Sequence, residues 1–201
     1  MSMKFLLEKE TGYDNVEGVG FPSIQGCMAI GYQVSDGIFG FHNAGHSATD
    51  KFDTRAKKWA DWVLAHPKGR NPGLALYGVT FARTNERGYS QPPVGNWKAE
   101  LKTFAARLGH TGPIFGYDLS LHFHDRTPKP SAYVQISKEG SGYSIFVKEW
   151  YQSAKDGLAK GDYVATVDFK NLDWAGAAKM CTGVDQTGLT RAFPERLGGG
   201  V

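Results

Sequence analysis

The chain has 201 residues, 41% hydrophobic and 13% aromatic, with a formal net charge of +3. That length and apolar content suffice for a core without disulfide staples, and a single domain over residues 1–201 is expected. The charge is too small and too dispersed to recruit nucleic acid, and no apolar run approaches the roughly 20 residues that a membrane-spanning helix needs. Met3-Lys4-Phe5-Leu6-Leu7 is too short for a signal peptide and runs into Glu8-Lys9-Glu10. Cys27 and Cys181 are far apart and lack a staple framework, so a reducing, cytoplasmic compartment is expected where the protein acts.

In chain order, the first element with a clear signal is a β-hairpin. Its arms are Ala29 to Val34 and Ile38 to Phe41, joined through Ser35-Asp36-Gly37, and Asp-Gly is a strong short turn signal. Thr49 or Asp50 then caps a helix to about Ala65, with Phe52, Ala56, Trp59 and Val63 on one face, and His66-Pro67-Lys68-Gly69 ends it. Leu74 to Phe81 has the length and apolar content of a central strand buried on both faces. Arg83 to Gly95, with Pro92-Pro93, reads as a loop. A second amphipathic helix spans Asn96 to Leu108, presents Trp97, Leu101, Phe104 and Leu108, and stops at Gly109. Pro113 to Leu119 follows as a strand and Thr127 to Pro130 as a proline-punctuated crossing. Ala132 to Ser137 and Tyr143 to Lys148 then form a hairpin through Glu139-Gly140-Ser141-Gly142. Beyond Tyr151 the pattern predicts a strand at Tyr163 to Phe169, a short helix from Leu172 to Met180 holding Cys181 near its end in a structural role, and a fraying glycine-rich terminus.

The first hairpin carries the chemistry. Cys27 lies at its mouth and His42 on its returning strand, fifteen residues on. A thiol within reach of an imidazole is the minimal apparatus for nucleophilic acyl transfer. With Asp36 and Gly37 as the central turn residues, Cys27 would face His46 and His42 would face Gly31. A bulge or longer loop would bring His42 closer, and His46 is the rival base. The backbone N–H groups of Gly26 and Cys27 are the candidate oxyanion donors, since glycine permits close backbone approach.

Gly26-Cys27-Met28-Ala29-Ile30, Gly40-Phe41-His42 and the order of elements resemble the CheD family of receptor glutamine deamidases and the catalytic domain of the cytotoxic necrotizing factor toxins. The likeness covers about Gly20 to Lys148, leaving 151–201 as a C-terminal extension. It implies a mixed α/β fold, α+β in layout, with layered sheets and flanking helices. It also implies a Cys27 nucleophile, a His42 base, no cofactor, and hydrolysis of a glutamine side-chain amide in a protein substrate. The chain departs from the family in having Gly26 where CheD-like proteins present Ser, and Phe21 where they have an upstream Thr. The third, orienting member is thus open between Ser23, Gln25 and a backbone carbonyl. The departures favour a bacterial toxin or effector over a chemotaxis protein, and the lack of a signal peptide is compatible with a specialised secretion route. A thiol protease or transglutaminase is disfavoured by the short Cys-to-His spacing.

Two other classes compete. His122-Phe123-His124-Asp125, joined by His42 and His46, would make a metal-dependent hydrolase, although the spacing is not diagnostic. Exposed Tyr89, Trp150 and Tyr151 would form the docking face of a non-catalytic adaptor or immunity protein. Substrate recognition is assigned to the loops Arg83 to Gly95 and Leu121 to Ser131.

Overall fold

A computed structural model describes residues 3–7, 9–24, 26–43, 52–81, 96–123, 131–150, 180–181 and 187–199. Alternating apolar residues make strands and 3.6-spaced apolar residues make helices. In chain order these are β1 (Met3–Phe5), β2 (Thr11–Asp14), β3 (Gly18–Ile24), β4 (Met28–Val34), β5 (Gly37–Asn43), α1 (Phe52–Ala65), β6 (Gly73–Thr80), α2 (Asn96–Leu108), β7 (Pro113–Asp118), α3 (Leu119–His122), β8 (Ser131–Glu139), β9 (Gly142–Trp150), β10 (Met180–Cys181), β11 (Thr190–Ala192) and β12 (Glu195–Gly199). The strands form two six-stranded sheets. The helix-side sheet has the order β12-β7-β6-β4-β5-β2, and the outer sheet has the order β10-β1-β3-β8-β9-β11. The fold is mixed α+β, with layered sheets and flanking helices, as the sequence predicts.

Two apolar cores separate the layers. Met28, Ile30, Phe39 and Phe41 of the helix-side sheet pack against Ala56, Trp59 and Val63 of α1 and Trp97, Leu101, Phe104 and Leu108 of α2. Apart from Phe52, whose side chain lies outside what the structure describes, the helix faces expected from periodicity are therefore the buried ones. The opposite face of the same sheet, with Cys27, Ala29, Ile38, Tyr77 and Val79, meets Leu6, Val19, Phe21, Val134, Ile136 and Val147 of the outer sheet and its approach. β4 and β5 are buried along their whole length because both of their faces are covered. β6 alternates in the same way, with Leu76 toward the helices and Tyr77 and Val79 toward the outer sheet, which makes it the central strand expected. It runs parallel to β7 and antiparallel to β4.

Helix ends follow their caps. Beyond α1 the chain tightens into a 3-10 turn at Pro67–Arg70, where His66 Nδ1 accepts the Lys68 N–H at 3.0 Å. Gly109 follows α2 at φ 64°, the left-handed position that favours glycine. β7 stops one residue earlier than expected because Asp118 caps α3, its Oδ1 accepting the Ser120 N–H at 2.8 Å. The second hairpin has longer arms and a tighter turn than expected, pairing Glu139 with Gly142.

Two expectations for the C-terminal part are corrected. Met180 does not end a helix: with Cys181 it forms β10, antiparallel to β1. The glycine-rich terminus does not fray over residues 195–199, because Glu195, Arg196 and Gly199 pair with β7. A Cβ at Gly116 would lie 2.6 Å from the Trp97 ring and 2.8 Å from Leu197 Cδ1, so a bare backbone at that point lets both side chains settle over β7. The Thr49/Asp50 cap, Arg83 to Gly95, Thr127 to Pro130, Tyr163 to Phe169 and most of Leu172 to Met180 lie outside the described residues.

Candidate active site

The hairpin register places the two chemical residues. Val34 pairs with Gly37, so the turn is Ser35-Asp36, one residue earlier than the Asp36-Gly37 reading. Ala29 therefore pairs with His42, and Gly31 pairs with Gly40. The physical reason is the fit of Gly37 against β2. A Cβ there would meet the Asp14 carbonyl oxygen at 2.6 Å and the Tyr13 hydroxyl at 2.6 Å, so this glycine provides close approach rather than the turn. Asp36, left in the turn, accepts from Lys68 Nζ at 2.5 Å and from Asn71 Nδ2 at 2.8 Å.

With this register, His42 and Ala29 share the inter-sheet face, and Cys27, two residues before Ala29, lies on that face as well. Cys27 and His42 are thus diagonal neighbours, a relation that sets Cα atoms roughly 7–8 Å apart across an antiparallel ladder. Ala29, directly opposite His42, contributes only a methyl group. The thiol is buried, 7% exposed, at the end of the inter-sheet core. Thr80 Oγ1 donates to the Cys27 carbonyl at 3.1 Å, tying the approach to β4 onto β6.

His42 is 1% exposed. Its Nδ1 donates to the Leu6 carbonyl at 2.8 Å, and its Nε2 has no hydrogen-bond partner among the described residues. A carbonyl can only accept, so the ring is fixed as the Nδ1–H tautomer with its lone pair on Nε2. Burial pushes the pKa down to about 4, opposed by the Leu6 hydrogen bond. The ring is neutral through the physiological range, the form a general base requires. Phe21 packs edge-on against it at 6.2 Å between centroids. An aromatic ring contacts the imidazole from β3, and the oxygen on its Nδ1 is the Leu6 backbone carbonyl.

The next residue anchors the other face. Asn43 Nδ2 donates to Glu100 Oε1 at 2.8 Å, Arg55 Nε donates to Asn43 Oδ1 at 3.0 Å, and Arg55 Nη2 lies 3.3 Å from Glu100 Oε1. This buried network joins β5, α1 and α2 behind the imidazole.

Ser23 sits at φ 61° where the β3–β8 register shifts, and its Oγ accepts from Ser131 Oγ at 3.2 Å. Gln25 and His46 lie outside the described residues, as do His124 and Asp125. Gly26 and Cys27 form the bend entering β4. His122 Nδ1 is 3.4 Å from the Tyr117 hydroxyl, and among the described residues no group of three or more His, Cys, Asp or Glu is placed to hold a metal ion. Trp150 is not an exposed docking residue: it is 6% exposed and packs on Tyr133 with centroids 5.9 Å apart. Alternation in β9 puts it on the face away from Ile145 and Val147, where it clusters with Met3, Phe5 and Tyr133, and Tyr89 and Tyr151 lie outside the described residues. No described helix is long and apolar enough to cross a membrane.

Sequence reasoning missed Glu10, which sits across β5 from His42. It is fully buried, its Oε2 accepts the Leu7 N–H at 2.7 Å, and Oε1 has no partner among the described residues. Glu8-Lys9-Glu10 has the look of a solvated charged run, and nothing local marks Glu10 as interior.

The site and fold define a layered α+β protein with a thiol and a tautomer-fixed imidazole on one inter-sheet face. No protein-family model matches the chain, and no curated protein matches it.

Proposed function

We propose that the chain is a cysteine-dependent amidohydrolase that converts a glutamine side-chain amide of a protein substrate to glutamate. The observation that carries this reading is the fixed tautomer: the Leu6 carbonyl holds Nδ1–H of His42, leaving the Nε2 lone pair on the face that carries Cys27. Cys27 Sγ gives its proton to His42 Nε2 as sulfur attacks the carboxamide carbon. The tetrahedral intermediate collapses with the proton passing from His42 to the leaving nitrogen, releasing ammonia and a thioester. Water then attacks the thioester, His42 takes its proton and returns it to sulfur, and glutamate is released. The N–H groups of Gly26 and Cys27 face the developing oxyanion. No cofactor enters this sequence.

The resemblance to CheD and the cytotoxic necrotizing factors supports glutamine in a folded protein as the substrate, and a bacterial toxin or effector as the setting. The chemistry needs a reduced thiol, and so a reducing compartment at the place of action.

The test is alkylation of Cys27 by iodoacetamide against pH, followed by intact mass in wild type, His42→Ala and His46→Ala. The expected result is alkylation at pH 7 that slows by about tenfold or more in His42→Ala, general-base contributions being typically 10²–10⁴-fold. Candidate substrate proteins then gain about 1 Da per modified glutamine, and Cys27→Ala abolishes the gain while its fold is retained. Alkylation indifferent to both histidines overturns the reading in favour of the adaptor class; dependence on His46 alone moves the base role from His42.

A further inference from the structure

The two polar ends of one peptide unit are held by two buried titratable side chains. The Leu6 carbonyl accepts from His42 Nδ1 at 2.8 Å, and the N–H of the same unit, on Leu7, donates to Glu10 Oε2 at 2.7 Å. The surrounding backbone fixes the arrangement. Glu10 N–H closes a turn onto the Leu7 carbonyl at 2.9 Å, Lys9 N–H donates to the His42 carbonyl at 2.9 Å, and His42 N–H donates to the Glu10 carbonyl at 3.0 Å. Lys9, at φ 71°, is the extra residue that lets the turn meet β5 as a bulge. Turn and imidazole are therefore locked to each other through both main chain and side chains.

A fully buried carboxyl with one oxygen unpartnered is costly to keep, and packing does not require it, since an apolar side chain would fill the same volume. We propose that Glu10 is a positioning residue for His42, acting through the Leu6–Leu7 peptide to orient the carbonyl on Nδ1 and to favour positive charge on the ring. This rests on the reading of His42 as the base. An ionised carboxylate at the N–H end polarises the peptide so that its oxygen becomes more negative, and that oxygen faces Nδ1–H. The imidazolium formed as Cys27 gives up its proton is then stabilised from behind. The device plays the part of the carboxylate in a Ser-His-Asp triad with a peptide unit interposed.

Burial pushes the pKa of Glu10 up to about 7, so its charge changes in the neutral range. The charged and titratable groups on the elements around it are Lys9 in the turn, Lys4 on β1, Asp14 on β2, His42 on β5 and the Arg55–Glu100 pair behind Asn43. Lys4 Nζ is bonded to the Tyr13 carbonyl, and Asp14 Oδ2 accepts the N–H groups of Val16, Glu17 and Gly18. None of these side chains is bonded to the Glu10 carboxyl.

The experiment follows His42 ring ¹⁵N and ¹³C shifts by NMR across pH 5.5–8.5 in wild type and Glu10→Gln, alongside the pH dependence of Cys27 alkylation. The amide of Gln can still accept the Leu7 N–H, so geometry is kept and only the charge is removed. In wild type, the His42 signals should report the Nδ1–H tautomer and step near pH 7 as Glu10 ionises, with alkylation rising through the same step. In Glu10→Gln the step disappears and the rate above it falls by roughly three- to tenfold. Wild-type His42 shifts that are flat through pH 7, or a step that survives in Glu10→Gln, overturn the proposal; the wild-type titration decides even should the variant not fold. The reading of His42 as base fails separately, when wild-type alkylation is indifferent to His42→Ala whatever the ring signals do.

Discussion

His42 and Glu10 are pushed by burial in opposite directions, His42 down from 6.5 to about 4 and Glu10 up from 4.5 to about 7. The base must be neutral, so beyond the roughly three- to tenfold step that Glu10 sets near pH 7, turnover should survive acidification through the ordinary histidine range and be lost only as pH drops through about 4; a kcat/KM profile checks this. The same shifts govern stability. Between about pH 4.5 and 6.5 the folded chain binds one proton fewer than the unfolded chain at His42 and one more at Glu10, so the two contributions cancel. From there up, the stability held by protonated Glu10 is lost as pH rises through about 7. Glu10→Gln removes that side of the balance. Its unfolding free energy should rise by on the order of 2 kcal/mol from pH 4.5 to 6.5 and show no decline near 7, as measured by urea titrations at a series of pH values.

The β4–β5 hairpin works as an element because its inner face is kept low. Gly31 and Gly40 pair across it, and a Cβ on Gly40 would lie 2.5 Å from Leu6 Cδ1 and 3.1 Å from Val19 Cγ1. Gly40→Ala should cost about 1–3 kcal/mol by overpacking. It should also slow Cys27 alkylation, because the residue it displaces is the one whose carbonyl holds His42; denaturant melts and alkylation rates on the same preparation check both. On the helix side, Trp59 Nε1 donates to Thr11 Oγ1 at 3.0 Å, and Thr11 Oγ1 donates to the Gly40 carbonyl at 2.8 Å. This chain of bonds ties α1 to β2 and β5. Trp59 is fully buried between Phe41 and Phe104, with centroids 5.7 and 5.6 Å away. Trp59→Ala should destabilise by about 3–5 kcal/mol, read from thermal unfolding.

For the whole molecule, the last described strands close both sheets. β11 pairs with β9 in the outer sheet, and β12 pairs with β7 in the helix-side sheet, with only Phe193 and Pro194 between them. One short segment thus crosses from layer to layer, and Lys98 of α2 reaches Glu195 at 2.6 Å. A chain ending at Leu189 would leave β9 and β7 as bare edges, whose unpaired N–H and C=O groups invite association. It should melt at lower temperature and show concentration-dependent aggregation by light scattering, although Cys27 and His42 are far from the deletion in sequence.

What the sequence determined by itself was local. The faces of α1 and α2, the doubly buried β6, and both hairpins follow from apolar spacing and turn residues, which act within one element and need no partner to be read. The candidate thiol and imidazole were legible for the same reason, as two reactive residues on the arms of one hairpin. Tertiary structure decided the rest. Gly37 is needed against β2, and that shifts the turn to Ser35-Asp36 and sets His42 diagonal to Cys27. Backbone atoms carry no sequence signature, so the Leu6 carbonyl on Nδ1 was beyond reach of residue types. Glu10 is interior only because a bulged turn folds back onto β5, and β12 is ordered only because β7 offers an open edge and Trp97 covers Gly116. Burial and register belong to pairs of segments distant in sequence, and no single segment contains the information that fixes them.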